Sequence, residues 1–252
     1  MIKVIAEHEL RVLLRSPFAW IAAALLQLIF GWLFLAAVDQ FTTAQTQIAS
    51  SAQQSGLTAY LVVHFIAPST IIMMLATPLL CMGTIAGERQ SGRFALLASS
   101  PVTPAHIVTG KFTGALLFQY AVILLSMLLI AALLPGIALD LFHLLTAYLG
   151  LALFIAVATA VTLLFSSLTK RPVLAAFLSF SVLLMSWLAA QTATGMLSVV
   201  SPSSHLNSFM QGLFDSRDFA YFICTVAILL CLCTHRLATL IRNSSTASPK
   251  YS

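Results

Sequence analysis

Charged side chains are scarce in this sequence. Only 8% of the 252 residues are Asp, Glu, Lys or Arg, whereas 60% are hydrophobic, and the mean hydropathy is +1.01. Globular domains in water carry about 25% charged residues, so this chain has too few charges to cover a surface that faces water. We therefore expect the lipid bilayer to be the solvent for most of the chain.

Signatures of catalysis and nucleotide binding are also lacking. The segment TGKF at 109–112 resembles the end of a phosphate-binding loop, but that motif needs Gly where the chain has Ala105, and Ser or Thr where it has Phe112. No Ser/His, paired-Asp or HExxH arrangement indicates an intramembrane hydrolase. We expect the chain to be no enzyme and to hold no cofactor, metal or nucleic acid.

Neither the cysteines nor the apolar runs offer residues for metal binding or proton transfer. The four cysteines follow no CxxC spacing and lie in apolar runs, so we expect small buried hydrophobic side chains at Cys81, Cys224, Cys231 and Cys233. No Asp, Glu, Lys or Arg lies at mid-depth of an apolar run, although proton- or ion-coupled carriers usually need such relays. This argues against a secondary transporter, so the energy for any transport must come from elsewhere.

Long apolar runs dominate what is present. Runs of about 20 apolar residues predict transmembrane helices, and six such runs make this an all-α integral membrane protein. A cleaved signal peptide is disfavoured, because the leader carries Glu7 and Glu9 and the first run is too long. The predicted spans are 17–38, 61–87, 107–134, 141–167, 172–193 and 217–240, within a domain at 17–240 that is followed by a tail at 241–252.

The basic residues alternate between the loops in a regular way. Eleven of the twelve lysines and arginines lie before span 1, between spans 2 and 3, between spans 4 and 5, or at the end of span 6. The opposite side keeps only Arg217. The positive-inside rule therefore predicts that both termini and both basic loops are cytosolic.

Residues 1–16 have the pattern of an amphipathic interfacial helix. Polar residues recur every four positions on one side, which also permits i,i+4 ion pairs, and apolar residues fill the other side, as expected for a helix in the membrane surface. Glu9 falls on the apolar side, where a solvated or snorkelling carboxylate is favoured over a buried pair. The polar positions are Lys3, Glu7, Arg11 and Arg15.

The segment 84–112 interrupts the apolar pattern between spans 2 and 3. Ser91-Gly92 predicts a break, residues 93–99 predict a short helix, and Thr103-Pro104 predicts a new helix start. A simple connector needs only a few residues, and this one retains apolar side chains on a polar surface, which indicates a docking partner. Those side chains are Phe94, Leu96 and Leu97, while Lys111 is predicted to be an interface anchor.

Residues 191–219 contain too many apolar residues for a free loop and too many breaks for a span. We predict two half-helices that meet near Ser201-Pro202 and dip into the outer leaflet, a structure that requires cover from the protein. Phe209 is one of the apolar residues, and Asp215 with Asp218 predicts a cap for span 6, with either carboxylate available to Arg217. His205 and His64 are read as ordinary polar residues, because no metal-ligand spacing surrounds them.

These features together resemble the permease subunit of type-2 ABC exporters. The matching residues of the segment after span 2 are Glu88, Arg89, Gly92, Leu96, Leu97, Pro101, Val102, Thr103, Gly110 and Lys111, while Gln90 and Arg93 depart from the family pattern. The segment HLNSFMQGLFDSRDFAYF at 205–222 is similar to the gliding-motility-type and nitrous-oxide-reductase-maturation-type branch. The resemblance covers essentially the whole chain.

The resemblance implies the missing energy source and the partners. Such permeases sit in the bacterial inner membrane, pair with a second copy or a related permease, and dock on a separate cytosolic ATPase that binds ATP and Mg. An accessory periplasmic protein and membrane lipid complete the implied partners. Residues 2–15 would be the elbow helix, and the coupling helix would lie at 93–99, with ATPase-coupling residues Glu88, Arg89, Arg93, Phe94, Leu96 and Leu97.

Two other classes remain as alternatives. A membrane anchor or assembly subunit for an ATPase would have the same topology without moving a substrate. A secondary transporter is the less favoured alternative. Nucleotide-dependent substrate movement in liposomes separates an exporter from an anchor, and transport that persists without the ATPase would indicate a secondary carrier.

Overall fold

Helices make up nearly all of the described structure. The computed structural model describes residues 2–48, 56–92, 102–132, 139–192 and 201–246, and every regular element in these ranges is a helix, as the sequence predicted. The elements are α1 (Ile2–Arg15), α2 (Pro17–Ile48), α3 (Leu57–Leu61), a π-helix (Val62–Ile66), α4 (Ala67–Cys81), α5 (Ala86–Gln90), α6 (Pro104–Ala131), α7 (Leu141–Leu168), α8 (Pro172–Thr192), α9 (Pro202–Met210) and α10 (Ser216–Thr246).

Six stretches of the described chain are long and apolar enough to cross a bilayer, which agrees with the predicted number. We number them spans 1 to 6: Pro17–Thr43, Leu57–Gln90, Pro104–Ala131, Leu141–Leu168, Pro172–Gln191 and Ser216–Arg242. The helix that carries span 1, α2, continues to Ile48, ten residues past the predicted end of the span. Residues 39–48 contain neither Gly nor Pro to stop it. Consecutive spans run in opposite directions, so the bundle has an α1 end and a far end.

Span 4 lies at the centre of the bundle. It contacts spans 2, 3, 5 and 6 as well as α9, and most of its apolar window is buried. Small buried residues such as Gly150, Ala158 and Ala160 let its neighbours approach closely. Spans 1, 5 and 6 instead expose large apolar side chains, among them Trp32, Phe177 and Ile228. Such a surface needs lipid as its solvent.

A polar cluster ties spans 2, 3 and 4 together in the middle of the bundle. The Thr77 hydroxyl donates to Gln119 Oε1 at 2.7 Å, and Gln119 Nε2 donates to Thr159 Oγ1 at 3.0 Å and to Cys81 Sγ at 3.4 Å. Gln119 is fully buried, so both ends of its amide find partners as a buried polar group requires. The cluster fixes the relative register of three helices.

Replacing Gln119 by Leu should lower the stability of the bundle modestly. Interhelical hydrogen bonds in membranes are worth about 0.6 kcal/mol on average. We therefore expect Gln119→Leu to lower the free energy of unfolding by about 1 kcal/mol, which should appear as a small fall in melting temperature in detergent. Gln90→Leu, at an exposed position of α5, is the matched control and should melt with the parent protein. Equal melting of the two variants would contradict a clamping role for the cluster.

Candidate functional site at the α1 end of the bundle

The predicted amphipathic helix is present as α1, and the whole of its predicted polar face is exposed. That face comprises Lys3, Glu7, Arg11 and Arg15, with Lys3 Nζ 4.0 Å from Glu7 Oε1. The apolar side is divided. Ile2 and Val12 stay exposed, at 39% and 48%, while Ala6 and Glu9 are buried where the helix packs along a groove of span 3.

Two glycines of span 3 make that groove. A Cβ atom built on Gly110 would lie 2.6 Å from Ile5 Cβ, and one on Gly114 would lie 2.8 Å from the backbone oxygen of Ala6. Real Cβ atoms essentially never come so close to other heavy atoms. Gly110 and Gly114 are four residues apart and therefore lie on one side of the helix, so the spacing of small residues permits the close contact.

A buried ionic joint lies beside this contact, formed by Glu9, Glu88 and Lys111. Lys111 Nζ is 2.9 Å from Glu9 Oε2 and 2.7 Å from Glu88 Oε1, and its side chain is only 3% exposed. Both predictions for these residues are wrong: Glu9 is not solvated, and Lys111 is not an interface anchor. The groove removes both side chains from water, so each needs the opposite charge of the other.

The ionic joint joins three separate elements. Glu9 belongs to α1, Lys111 to span 3, and Glu88 to α5, the short helix that ends span 2. With both carboxylates ionised, the joint carries one excess negative charge. The second oxygen of Glu88, Oε2, is buried and accepts no hydrogen bond from the described residues.

Span 2 is interrupted just before α5. The chain turns at residues 82–85, and the Ser166 hydroxyl of span 4 forms hydrogen bonds with backbone groups of this turn. Ser166 Oγ donates to the Met82 carbonyl at 3.0 Å and accepts the N–H groups of Ile85 at 3.2 Å and Ala86 at 2.9 Å. The hydrogen bonds to Ser166 therefore attach the start of α5 to span 4, in addition to the backbone bond from Gly87 N–H to the Gly83 carbonyl at 3.2 Å.

Arg89 provides the second attachment of α5 to span 4. Its Nη1 donates to the backbone oxygens of Ser167 at 2.8 Å and Thr169 at 3.1 Å. These carbonyls lie at the C-terminal end of the span 4 helix, where a cation is favoured. The predicted break follows directly: α5 ends at Gln90, and Gly92 has φ +75°, a left-handed conformation that only glycine adopts at little cost.

The remaining predicted coupling residues cannot be placed. Arg93, Phe94, Leu96 and Leu97 lie outside the described residues, as does the predicted short helix at 93–99. The predicted helix start at Thr103-Pro104 is confirmed, since α6 begins at Pro104. The Thr103 hydroxyl bonds to His106 Nδ1 at 2.5 Å and caps no backbone N–H.

The far end contains the second predicted site. The helix α9 packs closely on span 4. A Cβ atom built on Gly150 would lie 2.6 Å from the Cβ atom of Phe209. The Ser201 hydroxyl donates to the Ser186 carbonyl at 2.7 Å and ties the start of α9 to span 5. A short helix is therefore present where one of the two half-helices was predicted, and it packs on spans 4 and 5, while residues 193–200 lie outside the described residues.

The polar residues of this segment pair differently from the prediction. Asp215 accepts the Arg217 N–H at 2.9 Å and so caps span 6, whereas Asp218 binds His205, with Nδ1 and Oδ1 2.7 Å apart. The His205 ring stacks on Tyr221 with centroids 4.0 Å apart. His64 stacks on Tyr60 in the same way at 3.9 Å. Both histidines lie in local polar contacts, as expected.

The described residues form no cluster of three or more His, Cys, Asp or Glu side chains that could hold a metal ion. All four cysteines are free thiols. Cys81 and Cys233 are buried as predicted, but Cys224 and Cys231 are exposed on span 6, because that helix turns only a narrow strip towards the bundle.

The six apolar spans define a multi-pass membrane protein. A family model described as "ABC-2 family transporter protein" matches residues 3–240, and the chain belongs to this family. The membership identifies it as a permease component of the ABC transporter type, as the resemblance implied. Comparison with curated proteins finds no match.

Proposed function

We propose that this chain is the permease subunit of an ATP-driven exporter in the bacterial inner membrane, with both termini in the cytosol. A separate ATPase binds ATP and Mg and docks on residues 93–99. The permease works as a homodimer or with a related permease, in the gliding-motility-type or nitrous-oxide-reductase-maturation-type branch. The observation that carries the proposal is the ionic joint, in which Lys111 binds Glu9 and Glu88 at once.

The joint supports a coupling role because of what it connects. Residues 93–99 begin directly after Gly92, and α5 precedes them, joined to α4 by the turn at 82–85. A displacement of the docked segment therefore reaches α5 first. Glu88 then transmits the displacement through Lys111 to span 3 and through Glu9 to α1, while Arg89 transmits it to the end of span 4.

An ATP-driven permease must alternate between two conformations, and ATP binding to the ATPase must favour one of them. A buried ionic contact is suited to this, because it is strong when its geometry is kept and costly when it is partly broken. Glu88 of the joint also lies five residues before Arg93 along the chain. We propose that closure of the ATPase dimer shifts α5 against span 3 and so changes the access to the bundle.

The docking assignment is tested by the double substitution Arg93→Glu with Phe94→Asp. The variant should fold and insert normally but should lose co-purification with the ATPase and stimulation of ATP hydrolysis. The matched control is Arg217→Glu, a charge reversal at the far end, which should retain both. A double variant that still co-purifies with the ATPase and still stimulates ATP hydrolysis would contradict the assignment.

ATP-dependent movement of a substrate in liposomes decides between an exporter and a membrane anchor. The assembled complex should move its substrate only when ATP is hydrolysed. A complex that hydrolyses ATP and binds substrate but moves none would establish the anchor alternative.

A further inference from the structure

A cavity of about 360 Å³ opens in the far-end half of the bundle, away from the ionic joint. Spans 2, 4 and 5 and the helix α9 form its walls. Its volume falls within the range of about 300–1,000 Å³ that is typical of small-molecule sites. The ion-pair and hydrogen-bond network of the α1 end takes no part in it.

The lining has a polar end and an apolar end. Gln191 is the last residue of span 5, and Ser203 and Asn207 lie on α9, so their amide and hydroxyl groups gather near the far end. Met74 and Phe154 are buried deeper; Phe154 lies 13 residues into span 4, about 20 Å along the helix. None of the described lining residues carries a charge.

The side of the cavity between spans 2 and 5 faces the surroundings of the bundle. Val63 and Ile71 of span 2 line the cavity and are 61% and 45% exposed on the outer surface of the single chain. Val63 also belongs to the π-helix, whose extra residue per turn displaces the wall of span 2 at this point. Single π-helical turns occur frequently at functional sites.

From this arrangement we propose that the cavity binds an uncharged amphiphile that enters sideways from the bilayer. Its hydrogen-bonding head lies at Gln191 and Asn207, and its apolar body lies against Met74, Phe154 and Trp187. Methionine and aromatic side chains accommodate apolar bodies of varied shape. A charged head is excluded, because the described lining offers it no counter-charge. The inference rests on the proposed function in one respect: it takes this amphiphile to be the exported substrate.

Trp187 is a built-in reporter of the site. The probe is a bromophenyl alkanol, whose bromine quenches nearby tryptophan, and the permease alone is placed in nanodiscs. One protein keeps only Trp187, through Trp20→Phe and Trp32→Phe; a second keeps only Trp32, which is exposed to lipid and reports simple partition into the bilayer. The alkanol should quench Trp187 saturably and at a lower concentration than it quenches Trp32.

Two substitutions locate the bound probe. Ala190→Phe places a phenyl ring where the apolar body of the probe would lie and should weaken binding, measured as quenching of Trp187, by about tenfold. Val182→Phe, on the exposed side of the same span, should change nothing. Asn207→Leu leaves the volume nearly unchanged and should weaken alkanol binding about two- to tenfold, the worth of one hydrogen bond.

Three results would overturn the proposal. The first is quenching of Trp187 no stronger than that of Trp32, and the second is an Ala190→Phe variant that binds like Val182→Phe. The third is equal binding of the matching carboxylic acid or amine, which would refute an uncharged ligand. Because the permease is tested without its ATPase, an Arg93→Glu/Phe94→Asp variant that still co-purifies with the ATPase, beside a permease that binds the alkanol, would refute only the proposed function. Intact ATP-driven transport without binding would refute only this site.

Discussion

Replacing Lys111 by Met should destabilise the permease by about 3–5 kcal/mol, the range for removing one partner of a buried ion pair. The substitution keeps the length of the side chain but removes the cation from between Glu9 and Glu88, whose carboxylate oxygens lie 2.9 and 2.7 Å from Nζ. Glu9, only 8% exposed, is then left beside the Glu88 carboxylate with no cation between them. Thermal unfolding of the detergent-purified protein, followed by size-exclusion chromatography, measures the loss.

A control and a rescue make this result specific to the joint. Lys3→Met removes an exposed lysine that is 4.0 Å from Glu7, and it should cost no more than about 0.5 kcal/mol. Adding Glu9→Gln and Glu88→Gln to Lys111→Met removes the uncompensated charges and should restore most of the stability. A Lys111→Met protein that melts like the Lys3→Met control would show that the joint does not form.

Replacing Gly114 by Leu should detach α1 from span 3. Even the Cβ of the new side chain would lie 2.8 Å from the Ala6 backbone oxygen and from Glu9 Cβ, so the helix must move away as a whole. Overpacking of about 1–3 kcal/mol raises the population of the open helix by about 5- to 160-fold. Trypsin cleavage after Arg11 and Arg15, which needs local opening of α1, measures this population.

Gly31→Leu is the matched control, because no heavy atom of the described residues lies within 4 Å of a Cβ at Gly31. It adds the same side chain to span 1, towards lipid, and should leave the cleavage rate unchanged. The Gly114→Leu protein should also lose stimulation by the ATPase if the ionic joint transmits its motion. Cleavage at the parental rate in Gly114→Leu would contradict tight docking of α1.

The pattern of α1 shows how far a local signal reaches. Its four-residue polar repeat predicted the helix and its exposed face, and both are present. Periodicity reports only which side avoids water, and lipid and protein satisfy that condition equally. The groove made by Gly110 and Gly114 therefore could not be told from the membrane surface by the pattern of α1 alone.

The ionic joint lay beyond sequence reasoning for a related reason. Its partners are 102 and 23 positions apart along the chain, and no local rule connects residues so distant. A signal was nevertheless present: Glu9 stands on the apolar side of its helix, and Lys111 follows Gly110 inside an apolar run. An unpaired charge on each of two apolar surfaces indicates that the surfaces meet.

By itself, the sequence determined that this is a six-span membrane protein with breaks at Gly92 and before Pro104. Those features depend on hydropathy and on backbone restrictions, which act over a few residues and can be read locally. The tertiary structure alone decided that Lys111 is a buried partner of two carboxylates, that Ser166 bridges the interruption of span 2, and that four helices enclose an uncharged cavity. These depend on which surfaces meet, and that choice is made by the packing of the whole bundle.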